Sequence, residues 1–217
     1  IAYWVSDKVR EIFEKNQKLG EVGEAIQGII TGKNEKYLRL YHEVNKKNFS
    51  INLLKYEENS FKDQYWIPYN KGGESRKWYG NLEYFINWKN EGKDLVRGRG
   101  TNKKFYFKDG LNWSYITSST FSTRYFPNGC LWDVAGSPYF SKYKKYILGF
   151  LCTKVFLKLL EIINPTINVQ VQDILNSPIK FTSHIYNTTN LVQQNIDISK
   201  EEWDSRETSW DFEKLSL

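Results

Sequence analysis

The hydrophobic and polar positions divide the chain into three stretches of different character. At the start, Val5, Val9, Ile12 and Phe13 recur at helical spacing, with Ser6 or Asp7 placed to cap the N-terminus. Gly20 and Gly23 end that helix. A turn-rich loop containing Gly28, Thr31, Gly32 and Asn34 follows between apolar segments. The middle is strand-like: SINLLKY, QYWIPY, YFINW, KFYF, WSYITSS and CLWDV are rich in Ile, Tyr, Phe and Trp and separated by Gly, Asn and Asp. FKDGLNWS adds an Asp-Gly turn signal between two such runs. The pattern then changes to one long helix from about Lys142 to Ile163. Tyr143, Ile147, Leu151, Val155, Leu159 and Ile163 keep a four-residue step until Asn164 and Pro165 stop it. Ile167, Val169 and Val171 alternate as a strand would, and another short strand follows a turn. In the tail, Ser199 and Glu202 fit a capping box, and Trp203 and Trp210 fall seven apart on one helical face.

These elements predict an α+β fold, a twisted, mainly antiparallel sheet with packed helices. Boundaries are expected at 1–24 for a helical lead-in, 25–190 for the main domain and 191–217 for an acidic, helical tail. With 17% aromatic residues, the 217-residue chain can fill a substantial core and is not of disordered composition. No apolar run approaches the roughly 20 residues of a membrane span. The chain has no Met and begins IAYWV, so we read it as a piece of something longer. Cys130 and Cys152 lie in apolar settings; they could form a lone disulfide, but the reading favoured is two buried thiols of a cytoplasmic protein. His42 and His184 lack the spaced partners of a metal site.

Charge sharpens the picture. Net charge is +6, but from residue 67 to 108 there are ten Lys and Arg against four acids. From 197 to 213 there are seven acids against two bases. The basic block points to a polyanion partner, although such charges can also simply solvate a surface. The chemistry motifs are missing: there is no GxGxxG, GxxxxGK[ST] or HExxH, and Asn164-Pro165 continues as Thr166-Ile167 rather than Pro-aromatic. Glu57 and Glu58 sit in a polar run that does not look like a glycosidase pair. The chain reads as a recogniser rather than a catalyst.

The stretch NKGGESRKWYGN, residues 70–81, combines what a DNA-reading loop needs. Lys71, Arg76 and Lys77 supply cations for phosphates. Arg76 can pair bidentately with guanine or with a phosphate, and Asn70 and Asn81 can face adenine. Gly72 and Gly73 permit close backbone approach. Trp78 reads as a core anchor, with Tyr79 beside it. Lys33, Arg97, Arg99, Lys103 and Lys104 are further candidates.

Several longer motifs then resemble one family. GIITGKNEKYLRLYHEV is similar to a Gly-x-x-Thr-Gly-x-Asn-x-x-aromatic-x-Arg loop, with Gly28, Thr31, Gly32, Asn34, Tyr37 and Arg39 in place. YNKGGESRKWYGNLEYFINWKNEG and FKDGLNWSYITSSTFSTRYFPNGCLWDVAG match further stretches, with Asn112 where Thr is usual and Cys130 and Trp132 where Phe is more typical. IAYWVSDKVREIF, INPTINVQVQDILNSPI and ISKEEWDSRETSWDF extend the likeness to both ends. The chain resembles the C-terminal, target-recognition portion of the adenine-specific DNA methyltransferases of bacterial phage-exclusion systems, the BREX type called PglX. More distantly it resembles recognition regions of type IIG restriction-modification enzymes and type I specificity subunits.

The resemblance implies a target-recognition domain that binds double-stranded DNA in the bacterial cytoplasm. An upstream methyltransferase domain of the same chain would hold S-adenosylmethionine and act on a flipped adenine; no cofactor is expected in this piece. Other defence-system proteins would be further partners. With the cations above, Thr31, Asn34, Tyr79 and Arg124 complete the DNA-binding residues so implied. Two other readings compete: a carbohydrate-binding module that stacks sugars on exposed Trp and Tyr, and a protein-interaction domain that uses the Trp203 and Trp210 face.

Overall fold

A computed structural model describes residues 5–50, 63–96, 103–116 and 120–214. In chain order it contains α1 (Asp7–Lys15), β1 (Gln17–Lys18), α2 (Leu19–Val22), β2 (Glu24–Ala25), α3 (Asn34–Tyr37), β3 (Leu38–Leu40), β4 (Trp66–Asn70), β5 (Tyr84–Asn87) and β6 (Gly110–Trp113). Then follow β7 (Thr123–Phe126), β8 (Leu131–Trp132), β9 (Pro138–Phe140), α4 (Lys144–Leu151), α5 (Lys154–Ile163), α6 (Val171–Leu175), β10 (Pro178–Ile179) and α7 (Ile185–Asp204).

The α+β class holds, but the sheet is divided. One four-stranded sheet has the order β2-β9-β6-β7 and is wholly antiparallel. The other has the order β3-β5-β4-β8, with only the β4–β8 pair parallel. A two-stranded ribbon, β1 with β10, ties the start of the chain to residues 178–179. Large rings fill the core. Phe105 stacks on Phe140 at 4.5 Å, and Trp132 meets Tyr106 at 5.8 Å and Phe140 at 5.3 Å. Such contacts contribute beyond area burial, which suits a chain so rich in aromatics.

Several local expectations fail for physical reasons. The first helix ends at Lys15 rather than at Gly20, because Asn16 is extended and leads into β1. KFYF is no strand: Lys103–Phe105 is a 3-10 turn, and Phe107 takes a positive φ of 65°. The helix expected from Lys142 to Ile163 is two. Thr153 adopts extended backbone and its Oγ1 accepts from the Phe156 N–H at 3.1 Å, so it caps α5 and interrupts the run. The Ile167–Val171 strand does not form: Asn168 makes only an isolated bridge with Ile116, and Val171 opens α6, whose N-terminus is closed by Gln170 N–H donating to Asp173 Oδ2 at 2.8 Å. Ser199 is no cap, because α7 starts at Ile185 and runs through it. SINLLKY beyond Ser50, Glu57, Glu58 and the end of WSYITSS lie outside the described residues.

α4 packs against β6 and β7 on one side and α7 on the other. The close approach of α7 needs Gly149, where an added Cβ would lie 2.8 Å from Val192 Cγ2. Trp203 ends α7 buried at 3% exposure, and Trp210, beyond the helix, meets Phe85 edge-on at 5.6 Å. The two rings therefore dock on this chain without sharing a helical face. Among the described residues no helix is long and apolar enough to cross a membrane.

Candidate nucleic-acid interface

The two loops singled out in the sequence flank one short turn. Asp133 caps the turn through its Oδ1, which accepts from the Ala135 N–H at 2.8 Å. On one side Ile29 forms a parallel bridge with Asp133. On the other, the Asp133 N–H donates to the Asn70 carbonyl at 2.8 Å. Tyr69 locks the junction by donating its hydroxyl to Asp133 Oδ2 at 2.8 Å. Burial, then the Asp133 charge, push the Tyr69 phenol well above its ordinary value, so it stays a donor. Asp133 gave no signal in the sequence, because its role depends on two distant segments.

Close packing here explains two glycines. A Cβ at Gly28 would lie 2.2 Å from the Asp133 carbonyl. Gly72 has a φ of +88°, and its Cβ would meet the Ala135 oxygen at 2.6 Å. The backbone that Gly72 approaches belongs to this chain. Gly73, with a φ of +100°, is exposed.

Residues 70–81 rest on a buried polar layer. Asn70 is fully buried and accepts from Asn112 Nδ2 at 2.7 Å. Arg124 is also fully buried, and its Nη1 donates to the Glu74 and Arg76 carbonyls at 3.4 Å each. Its Nη2 donates to Ser114 Oγ at 3.1 Å, and Ser114 in turn donates to the Gly73 carbonyl at 2.7 Å. Among the described residues no carboxylate pairs with Arg124. Burial, aided by Arg76, lowers its pKa to about 10, which still leaves it charged at neutral pH. A cation held by carbonyl and hydroxyl oxygens, with no carboxylate among the described residues, therefore lies beneath the loop. Arg124 and Asn70 support the loop from below and do not present themselves to solvent. Tyr79 is likewise buried, at 3% exposure. Trp78 is half-buried against the core, as expected.

The remaining loop residues reach the surface by different routes. Lys71 sits over the Tyr84 ring at 5.3 Å. Lys77 is exposed and donates to the Cys152 carbonyl at 3.1 Å. Asn81 takes a positive φ of 58° and donates to the Glu74 carbonyl at 2.8 Å, closing the loop on itself. Arg76 stacks on Trp203 at 5.1 Å and pairs with Glu202, Nη1 to Oε2, at 2.7 Å. The loop and the tail thus enclose a cleft of about 450 Å³, lined by Lys71, Gly73, Arg76 and Asn81 on one side and Trp203 and Arg206 on the other.

In the second loop, buried Thr31 donates to Asn34 Oδ1 at 2.6 Å, which fixes the turn before α3. Lys33 and Asn34 are exposed beside it. This loop packs against residues 94–96: Tyr37 donates to the Asp94 carbonyl at 3.0 Å, and Gly32 faces Val96. Lys103 lies 4.0 Å from Glu91, and Lys104 lies 2.8 Å from Glu24. Neither lines the cleft. Arg97 and Arg99 lie outside the described residues.

The fragment does not fit a methyl-transfer site at its one Asn-Pro pair. Asn164 Nδ2 donates to the Asn168 carbonyl and to Asp173 Oδ2, at 2.7 and 2.6 Å, and its Oδ1 accepts from Thr166. An amide so committed cannot grip an adenine edge.

No protein-family model matches the chain. It is 36% identical over 226 aligned positions to the adenine-specific methyltransferase PglX of Lacticaseibacillus casei, an alignment covering 98% of this chain. It is 34% identical over 225 positions to the adenine-specific methyltransferase BrxX of Escherichia coli, covering all of this chain. The chain spans only 19% and 18% of the lengths of these curated relatives. The resemblance read from the motifs is thus upheld, and over its whole length the chain is the counterpart of about one fifth of a PglX-type adenine-specific methyltransferase.

Proposed function

We propose that this chain is the DNA target-recognition part of an adenine-N6 DNA methyltransferase of a bacterial phage-defence system, lying C-terminal to the catalytic part. It binds duplex DNA and holds it for a methyltransferase domain elsewhere in the same protein, where S-adenosylmethionine binds and supplies the methyl group. The observation that carries this reading is the end-to-end similarity to two adenine-specific methyltransferases. The cationic loop over the buried guanidinium of Arg124, which has no carboxylate partner among the described residues, supports it, because a buried positive charge favours an anion above it.

The DNA-facing set is then Lys33, Asn34, Lys71, Gly73, Arg76, Lys77 and Asn81, together with Arg97 and Arg99. Thr31, Asn70, Gly72, Tyr79 and Arg124 hold these loops in shape. Lys103 and Lys104 reach DNA only by giving up their carboxylates. The tryptophans favour neither competitor. Trp88, Trp113, Trp132 and Trp203 are buried and Trp66, Trp78 and Trp210 half-buried, so no described tryptophan is exposed for sugar stacking, and the exposed ring of Tyr186 stands alone on α7. Trp203, the centre of the alternative protein-binding face, is already covered by this chain.

The test is binding of a labelled DNA duplex across a salt series. The expected affinity is about micromolar or weaker, with the logarithm of the binding constant falling linearly as log salt rises. Joint replacement Arg76→Ala and Lys77→Ala should weaken binding and flatten the slope. Salt-independent binding, or no effect of the double replacement, would overturn the assignment.

A further inference from the structure

The tail brings a carboxylate, Glu202, against two arginines that line the cleft. Glu202 is bound from two sides. Arg76 Nη1 donates to its Oε2 at 2.7 Å, while Arg206 donates to its Oε1 through Nε at 2.9 Å and through Nη2. All three side chains remain open to water, at 23% for Arg76, 47% for Glu202 and 48% for Arg206. Trp203 lies beneath the Arg76 guanidinium and keeps it in place whichever anion it holds.

Two guanidinium groups converging on two oxygens of one anion is also how arginine grips a phosphodiester. The charges of the cleft bear on this. Lys71, Arg76 and Arg206 line it together with Glu74 and Glu83. These cations exceed the lining acids by one, and Glu202, paired with two of them from outside the lining, balances the count.

We infer that Glu202 occupies the seat of a DNA phosphate between Arg76 and Arg206, so that the acidic tail is a latch that DNA must displace. The inference rests on the DNA-binding reading and names a regulation of that same surface. A solvent-exposed carboxylate is held weakly enough for exchange, since water and salt screen such pairs. A backbone phosphate steered in by the surrounding cations takes both arginines, and Glu202 turns out to solvent. Non-specific contact is thereby penalised, because the first phosphate at this cleft must compete with a tethered anion.

The experiment compares the wild-type chain with E202Q, with E201Q as a control of equal charge, and with R76M and R76M/E202Q, by anisotropy of a labelled duplex over a salt series. Glu201 is the exposed neighbour of Glu202, and among the described residues the ion pair of Arg76 is with Glu202 and not with Glu201. The expected result is that E202Q binds about two- to fivefold more tightly at low salt and steepens the log–log salt slope by up to about 0.9, because in the wild type the displaced carboxylate takes up a salt cation that offsets part of the ion release. E201Q should leave the slope unchanged, and R76M should abolish the gain from E202Q. If E202Q behaves like E201Q while the wild type binds in a salt-dependent way, the latch is overturned and the DNA-binding reading stands. If neither wild type nor E202Q binds with salt dependence, that reading itself falls, and the latch with it.

Discussion

Asn112 in β6 donates its Nδ2 to Asn70 Oδ1 in β4 at 2.7 Å, joining the two four-stranded sheets by a hydrogen bond between fully buried side chains. Asn70 Oδ1 also accepts from the Gly72 N–H at 3.3 Å, so the pair supports the start of the cationic loop. Removing Asn112 takes away the shorter of the two hydrogen bonds to Asn70 Oδ1 and leaves it only the 3.3 Å bond from Gly72, at a cost of about 1–3 kcal/mol. Asn112→Leu should therefore lower stability by about that amount in urea unfolding. With Asn70→Leu added, the total should fall well short of the two single effects summed. Strict additivity would show that the two amides act independently.

Gly72→Ala is expected to be costly for two separate reasons. The φ of +88° disfavours any side chain, and the new Cβ would meet the Ala135 oxygen at 2.6 Å. A loss of about 1–3 kcal/mol is expected, with a weakening of duplex binding as the loop shifts off the Asp133 turn. An unchanged unfolding midpoint would contradict the packing described.

Both cysteines are free. Burial pushes the Cys130 thiol up to about 12, and it pushes Cys152 up to about 11 despite the opposing charge of Lys77. A thiol-specific disulfide reagent at pH 8 should leave Cys130 unmodified in the folded protein and modify both thiols in denaturant. Rapid modification of Cys130 without unfolding would show that the core is open there.

Glu202 gives the fold a defined acid sensitivity. Burial pushes its carboxyl up, but Arg206 and Arg76 outweigh that and hold it below the ordinary 4.5. A carboxyl depressed on folding adds stability that is fully present above 4.5 and is lost as pH falls through its folded value. The gain is small because the pair is exposed and screened. Stability of the wild type should therefore drop more between pH 5 and 3 than that of Glu202→Gln, when both are followed by urea unfolding. Parallel pH profiles would contradict the pairing.

What the sequence made legible was composition and local period. The aromatic runs gave QYWIPY and YFINW as β4 and β5, and the four-residue step placed α4 and α5. It missed the interruption between those helices, because Thr153 fits both the apolar period of a continuous helix and a cap. The alternation of Ile167, Val169 and Val171 suggested a strand, but Asp173 reaches back to the Gln170 N–H and starts a helix instead. α7 was read only at its acidic end, since IYNTTNLVQQNIDIS has few strong helix formers and depends on Val192 and Ile196 packing onto α4. At the site, the glycines and cations of residues 70–81 were visible. Their partners were not, because Ser114 lies 41 positions from Gly73 and Glu202 lies 126 positions from Arg76, separations that no local pattern records.

The central claim, that this chain chooses the DNA sequence, is tested most directly by exchange. The parent methyltransferase would carry either its own segment or the corresponding segment of the Lacticaseibacillus casei relative, and the methylated adenines of the host genome would be mapped by long-read sequencing. The account predicts that the methylated motif changes with the segment and matches that of the donor. An unchanged motif from an active hybrid would contradict it.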